Sequence, residues 1–132
     1  MRTKLKTMLA MFTLVFALAA GSAQAASPVM DYWSYIYNND SYLEAEAYTS
    51  YEGCDGEWWE CQLYQAGVEM TVYEDNVQIW NSMDVSDSGS SWAVVSTIWS
   101  IPVDSSKAYR STAYHWSEGS YFSWGTTTTS SF

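Results

Sequence analysis

Apolar and polar residues alternate with a period of two along most of the chain, and no segment repeats its apolar residues with a helical period. The clearest case is the segment 42–51, in which Leu43, Ala45 and Ala47 alternate with glutamates and Tyr48. Alternation of this kind is typical of a strand with one buried face and one wet face. It therefore predicts β-structure with a solvated outer surface.

The same pattern recurs between clusters of Asn, Asp, Gly and Ser, and it predicts seven strands: 32–37, 42–51, 61–74, 77–80, 92–101, 108–117 and 121–128. Gly67 interrupts the third strand, and we expect a bulge there. Asn38-Asn39-Asp40-Ser41 predicts a turn, and Asp75-Asn76 predicts a two-residue hairpin turn. Residues 82–91 are predicted to form a polar loop.

Seven short strands in a chain of this length are typical of a small antiparallel two-sheet sandwich of the immunoglobulin-like type. Tyr109 follows the turn at Asp104, where such domains often place a corner tyrosine. A small barrel and a jelly roll stay open as alternatives within the same all-β class.

The first 25 residues differ from the rest of the chain. Arg2, Lys4 and Lys6 precede an apolar run from Met8 to Ala20, and Ala23-Gln24-Ala25 ends the segment. This order is typical of a secretory signal peptide, and the run is shorter than the roughly 20 apolar residues that a membrane span needs. We predict a signal peptide over 1–25, a single domain over 26–132 without a membrane span, and an extracellular or periplasmic location.

The predicted mature chain is strongly acidic. All 15 acidic residues lie after residue 25, whereas only Lys107 and Arg110 of the five basic residues do, so its formal net charge is −13. Phosphate backbones and anionic lipid surfaces repel such a chain. We therefore exclude nucleic acid as a partner and expect an extracellular ligand, either a glycan or a protein.

Aromatic side chains outnumber aliphatic ones after residue 25, with 21 Trp, Tyr and Phe against 17 Leu, Ile, Val and Met. Each ring can bury roughly 150–250 Å² of surface. We therefore expect a core built largely from rings.

The chain has two cysteines, Cys54 and Cys61, which should pair with each other in an exported protein. A zinc site is disfavoured because it would need two further ligands and the only histidine is His115. We expect a local disulfide and no cofactor.

The loop between the cysteines is the most unusual stretch, because Trp58 and Trp59 are adjacent in it. Two consecutive rings cannot both face inward on a regular strand. Exposed rings on a disulfide-fixed loop are good anchors for sugars or protein partners. In that case Trp58, Trp59 and Tyr51 would supply the binding surface, with Glu57 or Asp55 bonding to hydroxyl groups. Alternatively, both Trp side chains cap the open end of the sandwich.

Two acidic patterns are weaker candidates for sites. The segment 84–89 resembles the start of a calcium loop, but the twelfth position is Val95 rather than a glutamate. This leaves Asp84 and Asp87 as a loose calcium candidate, and a solvated turn is favoured over it.

Carboxylate pairs also occur at Glu44/Glu46 and at Glu57/Glu60, and glycosidases use such pairs. An exposed, solubilising strand face explains the first pair better. The chain shows no Gly-x-Ser-x-Gly, no second histidine and no unpaired cysteine, so no acyl-transfer machinery is visible.

The leading hypothesis is a secreted, non-enzymatic β-sandwich that acts as a binding or extracellular structural module. The first alternative is a carbohydrate-binding module whose aromatic platform lies on the disulfide loop. A small secreted hydrolase that uses carboxylates is the weaker alternative.

Overall fold

The computed structural model describes residues 26–87, 90–97 and 101–132. The predicted signal peptide lies outside these residues. Within them the chain forms eight strands: β1 (Pro28–Asn39), β2 (Tyr42–Cys54), β3 (Leu63–Glu74), β4 (Val77–Val85), β5 (Trp92–Ser96), β6 (Ile101–Pro102), β7 (Tyr109–Gly119) and β8 (Ser123–Ser131). None of the described segments forms a helix with the length and apolar character needed to cross a membrane.

The strands form two antiparallel sheets of four strands each, which are not closed into a barrel. The first sheet has the order β1-β2-β5, with β6 also paired to β2, and the second sheet has the order β4-β3-β7-β8. Immunoglobulin constant domains place their first, second, fourth and fifth strands in one sheet and the others in the second. If β5 and β6 are one broken fifth strand, the chain follows this arrangement except that β4 pairs with β3. The prediction of a small sandwich is confirmed.

The predicted strand 92–101 is wrong as a single strand, because it separates into β5 and β6. At the end of β5 the side chain of Thr97 bonds to the backbone of β2. Its hydroxyl donates to the carbonyl of Leu43 at 3.1 Å and accepts from the N–H of Ala45 at 3.2 Å. A side chain therefore takes part in pairing where a regular ladder would use backbone groups alone. Residues 98–100 lie outside the described residues.

The predicted loop 82–91 begins too early, since β4 continues to Val85. Asp84 stabilises this extension: its carboxylate accepts the N–H of Val94 in β5 at 2.9 Å, which joins the edges of the two sheets. The polar residues Ser82 and Asp84 therefore belong to the strand, which the sequence pattern did not indicate.

Two-residue turns close the β1–β2 and β3–β4 hairpins. Asp40 and Ser41 have positive φ values of 49° and 78°, and Asp75 and Asn76 have values of 47° and 68°. These left-handed conformations match the right-handed twist of the flanking strands. The predicted Asp75-Asn76 turn is confirmed.

The core is aliphatic, and the prediction of a core built from rings is wrong. Its buried members are Ile36, Leu43, Ala45, Ala47, Val68, Met70, Val72, Ala93, Val95, Tyr109 and Ala113, of which only one is aromatic. Alanine at four of these positions leaves little space for large rings at the centre of the sandwich, and Trp80, which packs against the core, lies on the edge strand β4. The rings lie instead on the outer faces, at the edges and in the loops.

Tyr109 is buried and acts as the predicted corner tyrosine. Its hydroxyl accepts the N–H of Asp104 at 2.9 Å and donates to Glu74 Oε2 at 2.8 Å. These bonds fix the connection that precedes β7 to the end of β3, as corner tyrosines do in sandwiches of this type.

A polar network crosses the interior and centres on His115. Its Nδ1 lies 2.8 Å from Thr49 Oγ1, and its Nε2 lies 2.7 Å from Thr128 Oγ1, which in turn lies 2.6 Å from Ser34 Oγ. The four residues come from four strands and both sheets. Burial lowers the pKa of His115, and a hydrogen bond to the backbone of Tyr48 opposes this effect.

Candidate functional sites

The predicted disulfide is confirmed: Cys54 and Cys61 are bonded, with their Cα atoms 5.4 Å apart. We call residues 54–61 the disulfide loop. Inside it the carbonyl of Glu57 accepts the N–H groups of Glu60 and Cys61 at 2.8 and 3.1 Å, and Glu60 Oε2 accepts the N–H of Glu57 at 2.8 Å. The loop is therefore a closed turn with its own hydrogen bonds.

Neighbouring segments hold the disulfide loop in place. Asp55 Oδ1 accepts the N–H of Ser27 at 2.6 Å, so one oxygen of this predicted ligand residue has a structural partner. Next to the loop, the carbonyl of Gln62 accepts the N–H of Ser120 at 2.9 Å. These bonds bring the β2–β3 connection, the β7–β8 connection and the start of the described chain to one end of the sandwich.

Trp58 and Trp59 project from this end and are 73% and 47% exposed. The alternative in which both rings cap the core is therefore wrong. Their centroids lie 5.7 Å apart with an angle of 84° between the planes. The two rings form a corner rather than a flat platform, and their role in binding stays a prediction.

Tyr51 does not extend this pair into a larger flat surface. Its ring stacks on Phe122 at 5.3 Å with an angle of 11°, and its hydroxyl donates to the carbonyl of Cys61 at 2.6 Å. One ring face and the hydroxyl are thus engaged within the fold. Glu57 is exposed in the loop, and its contact with a ligand stays a prediction.

The calcium candidates Asp84 and Asp87 do not form a cluster in the described residues. Asp84 bonds to Val94, and the carbonyl of Asp87 accepts the N–H of Ser90. Ser88 and Gly89 of the same motif lie outside the described residues. Across the described ranges, no group of three or more His, Cys, Asp or Glu side chains is arranged to hold a metal ion.

The Glu44/Glu46 pair lies on the outer face of the first sheet, next to stacked rings. Hydrogen bonds from Tyr37 and Asn39 lower the pKa of Glu44. Burial and the charges of Glu46 and Glu44 raise the pKa of Tyr35 to about 12. A carboxyl group that donates a proton in catalysis needs a raised pKa, and Glu44 has the opposite shift.

Rings on this face stack mainly against one another. Trp33 is stacked with Tyr35 at 5.5 Å and with Tyr48 at 5.4 Å, with interplanar angles of 9° and 21°. These cross-strand and same-strand pairs stabilise a sheet.

A different pair of rings lies flat on the outer face of the second sheet, and no sequence pattern predicted it. Trp116 crosses β3 above Gly67, where an added Cβ would meet three indole atoms at 2.1–2.6 Å. Tyr114 reaches Gly125 in β8, where a Cβ would lie 2.3 Å from the phenol oxygen. The two ring planes are nearly parallel, at 15°, with centroids 5.8 Å apart. We call Tyr114 and Trp116 the ring platform.

The expected bulge at Gly67 is therefore wrong. The glycine instead leaves space for the Trp116 indole above β3. Gly67 pairs in regular register with Trp116, and the irregularities of β3 lie between Leu63 and Gln65 and between Val72 and Tyr73. A glycine inside a strand often marks the close approach of another group. Gly67 and Gly125 carry this signal in the sequence, but a glycine alone does not indicate which side chain approaches it.

The ring platform borders a shallow depression of about 320 Å³, lined also by Glu69, Glu118, Met83 and Trp124. Asn81 donates to Glu69 Oε1 at 3.1 Å, and Gln65 donates to Glu118 Oε2 at 3.3 Å. Among the described residues, no hydrogen bond is made to the other oxygen of either carboxylate. Tyr114 is 48% exposed. The surface thus combines an accessible ring with flanking acceptors and amides.

Comparison with models of protein families, with curated proteins and with solved structures finds no match to this chain.

Proposed function

We propose that this protein is a secreted, non-enzymatic binding module that recognises neutral polysaccharide through the ring platform. The observation that carries the proposal is the flat, parallel placement of Tyr114 and Trp116 above two glycines. A sugar ring has an apolar face of C–H groups and a polar rim of hydroxyl groups. An aromatic face is complementary to the first, and carboxylates and amides beside it are complementary to the second.

The charges on the site select the class of glycan. Glu69 and Glu118 flank the platform, and the predicted mature chain carries a net charge of −13. Sulfated or uronic-acid polymers would meet like charge here. A neutral chain would instead donate its hydroxyls to the carboxylate oxygens. The proposal therefore moves the predicted platform from the disulfide loop to the second sheet.

The test is retention of the purified protein on insoluble cellulose, chitin and xylan, measured by sedimentation and depletion from solution. We expect saturable retention on at least one of these. Tyr114→Ala should weaken it at least about tenfold, a loss of about 1.4 kcal/mol. Trp33→Ala is the matched control, since it removes a partly exposed ring from the opposite outer face.

A second variant separates binding from folding. Gly125→Ala keeps every ring but places a Cβ where the Tyr114 hydroxyl lies, so the phenol must move off the sheet. Gly125 has no positive φ that would strain alanine. Retention should fall in this variant while the urea midpoint stays close to that of the wild type. The proposal is wrong if the wild type binds none of the polymers, or if both variants are retained normally.

A further inference from the structure

The disulfide loop is the second exposed aromatic surface, and its position differs from that of the ring platform. It lies at the end of the sandwich, whereas the platform lies on an outer sheet face. Immunoglobulin-type domains commonly bind partners through loops at one end. Tyr121, in the adjacent β7–β8 connection, is 57% exposed and adds a further ring to this end.

Charge determines which partner fits. Asp55, Glu57 and Glu60 flank the two Trp residues in the sequence of the loop, and the loop contains no Lys or Arg. After residue 25 the chain has only two cations, and both have partners elsewhere. Lys107 pairs with Asp75 at 2.9 Å, and the Arg110 guanidinium lies 4.4 Å above the ring centroid of Tyr73. No cation of the described chain is paired with the loop carboxylates.

The corner formed by Trp58 and Trp59 suits a planar cation on an extended stem. Tryptophan is the best aromatic acceptor for a cation, and arginine is the more frequent donor. A guanidinium can stack on one indole while its methylene stem packs on the other, and a nearby carboxylate can accept its N–H groups. Arg110 on Tyr73 shows the same type of contact inside this protein.

Rigidity of the loop adds to its suitability for docking. The disulfide, the two bonds to the Glu57 carbonyl and the bond from Ser27 hold the backbone before any partner arrives. A surface that is already ordered loses less conformational entropy on binding. Exposed Trp on such a surface has the character of an interface hot spot.

We propose that the disulfide loop docks an arginine-containing segment of another protein, with the guanidinium on the Trp58–Trp59 corner and Glu57 as its counter-charge. This surface is separate from the ring platform, so the molecule would connect a basic protein to a polysaccharide. The proposal stands without the polysaccharide, because no residue is shared between the two sites.

The probe is a fluorescently labelled, end-capped peptide of alternating glycine and arginine with three arginines, titrated with the protein and followed by anisotropy. In the comparison peptide citrulline replaces arginine, which keeps the shape and removes the charge. We expect the arginine peptide to bind at least about tenfold more tightly. Its affinity should fall as salt rises from about 50 to 300 mM, since exposed charges are screened.

Two variants locate the contact. Trp58→Ala should weaken arginine-peptide binding at least about fivefold. Glu57→Gln should weaken it more than Asp40→Asn, which removes the same charge from the turn at the far end of β1. Asn tolerates the positive φ of position 40. Urea midpoints close to that of the wild type are expected for all three, because each side chain is exposed.

The proposal is overturned if the citrulline peptide binds equally well, if Trp58→Ala binds like the wild type, or if Glu57→Gln and Asp40→Asn have equal effects. The last result would mean that net charge alone attracts the peptide. Loss of polysaccharide retention in Trp58→Ala would assign the loop to glycan and also overturn the protein-docking proposal. Unchanged retention in Trp58→Ala, and unchanged peptide binding in Tyr114→Ala, would support two separate sites.

Discussion

His115 should make the stability of the protein depend on pH in a range where few other groups titrate. It is the only histidine in the chain, its side chain is fully buried, and both ring nitrogens lie within hydrogen-bond distance of threonine hydroxyls. Burial lowers its pKa in the folded state. A proton on this ring would add a charge to an interior whose other network members are neutral.

The sign and size of this pH dependence follow from the linkage between proton binding and folding. The unfolded chain binds a proton at His115 below about pH 6.5, whereas the folded chain resists it down to its lower pKa. The free energy of unfolding is therefore unaffected by this group above about pH 6.5. As pH falls between the two pKa values, it decreases by up to about 1.4 kcal/mol per pH unit. Below the folded pKa the contribution stays constant.

The assay is urea denaturation of the wild type and of His115→Gln from pH 7.5 to pH 5. The glutamine amide can still bond to a threonine hydroxyl but does not titrate. At pH 7.5 the variant should be less stable by about 1–3 kcal/mol, because part of a buried network is lost. The gap should narrow as pH falls. Carboxylates are common to both proteins and cancel in the difference, so a gap that is constant or that widens towards pH 5 would refute the reasoning.

Two further predictions concern single structural features. Replacing Cys54 and Cys61 with serine should lower the free energy of unfolding by about 2–3 kcal/mol on the chain-entropy model, measured by denaturation with and without reductant; an unchanged stability would count against a structural disulfide. Tyr109→Phe should lower it by about 1–3 kcal/mol, since the Asp104 N–H and Glu74 lose a buried partner, whereas Tyr121→Phe, at an exposed ring, should change little. Equal effects of the two Tyr→Phe changes would contradict the corner role.

The alternation of side chains predicted the sandwich because each inward position repeats every two residues. Leu43, Ala45 and Ala47 are buried as expected. Ala113 and His115, two positions apart in β7, are both buried. Local signals of this kind need no knowledge of the partner strand. Turns are equally local, which is why Asp75-Asn76 was predictable from two residues.

The features that could not be predicted depend on contacts between residues far apart in the sequence. Whether Trp116 lies flat depends on Gly67 standing opposite it, 49 positions earlier in the chain, and on the register of β3 with β7. Thr97 and Asp84 make side-chain hydrogen bonds to other strands near the ends of β5 and β4. None of these partners is indicated by the local sequence, so the ring platform and the true ends of β4 and β5 could not be predicted.

The prediction of an aromatic core fails for one physical reason, which is the small size of the inward-facing residues. Alanine occupies inward positions 45, 47, 93 and 113, so the space between the sheets is filled without most of the aromatic side chains. The rings must then lie where water reaches them, and large apolar surfaces in water favour association. The high negative charge opposes association between copies by mutual repulsion. The same charge does not repel a neutral glycan and attracts a basic segment, so the composition that keeps copies apart leaves the rings available to the two proposed kinds of ligand.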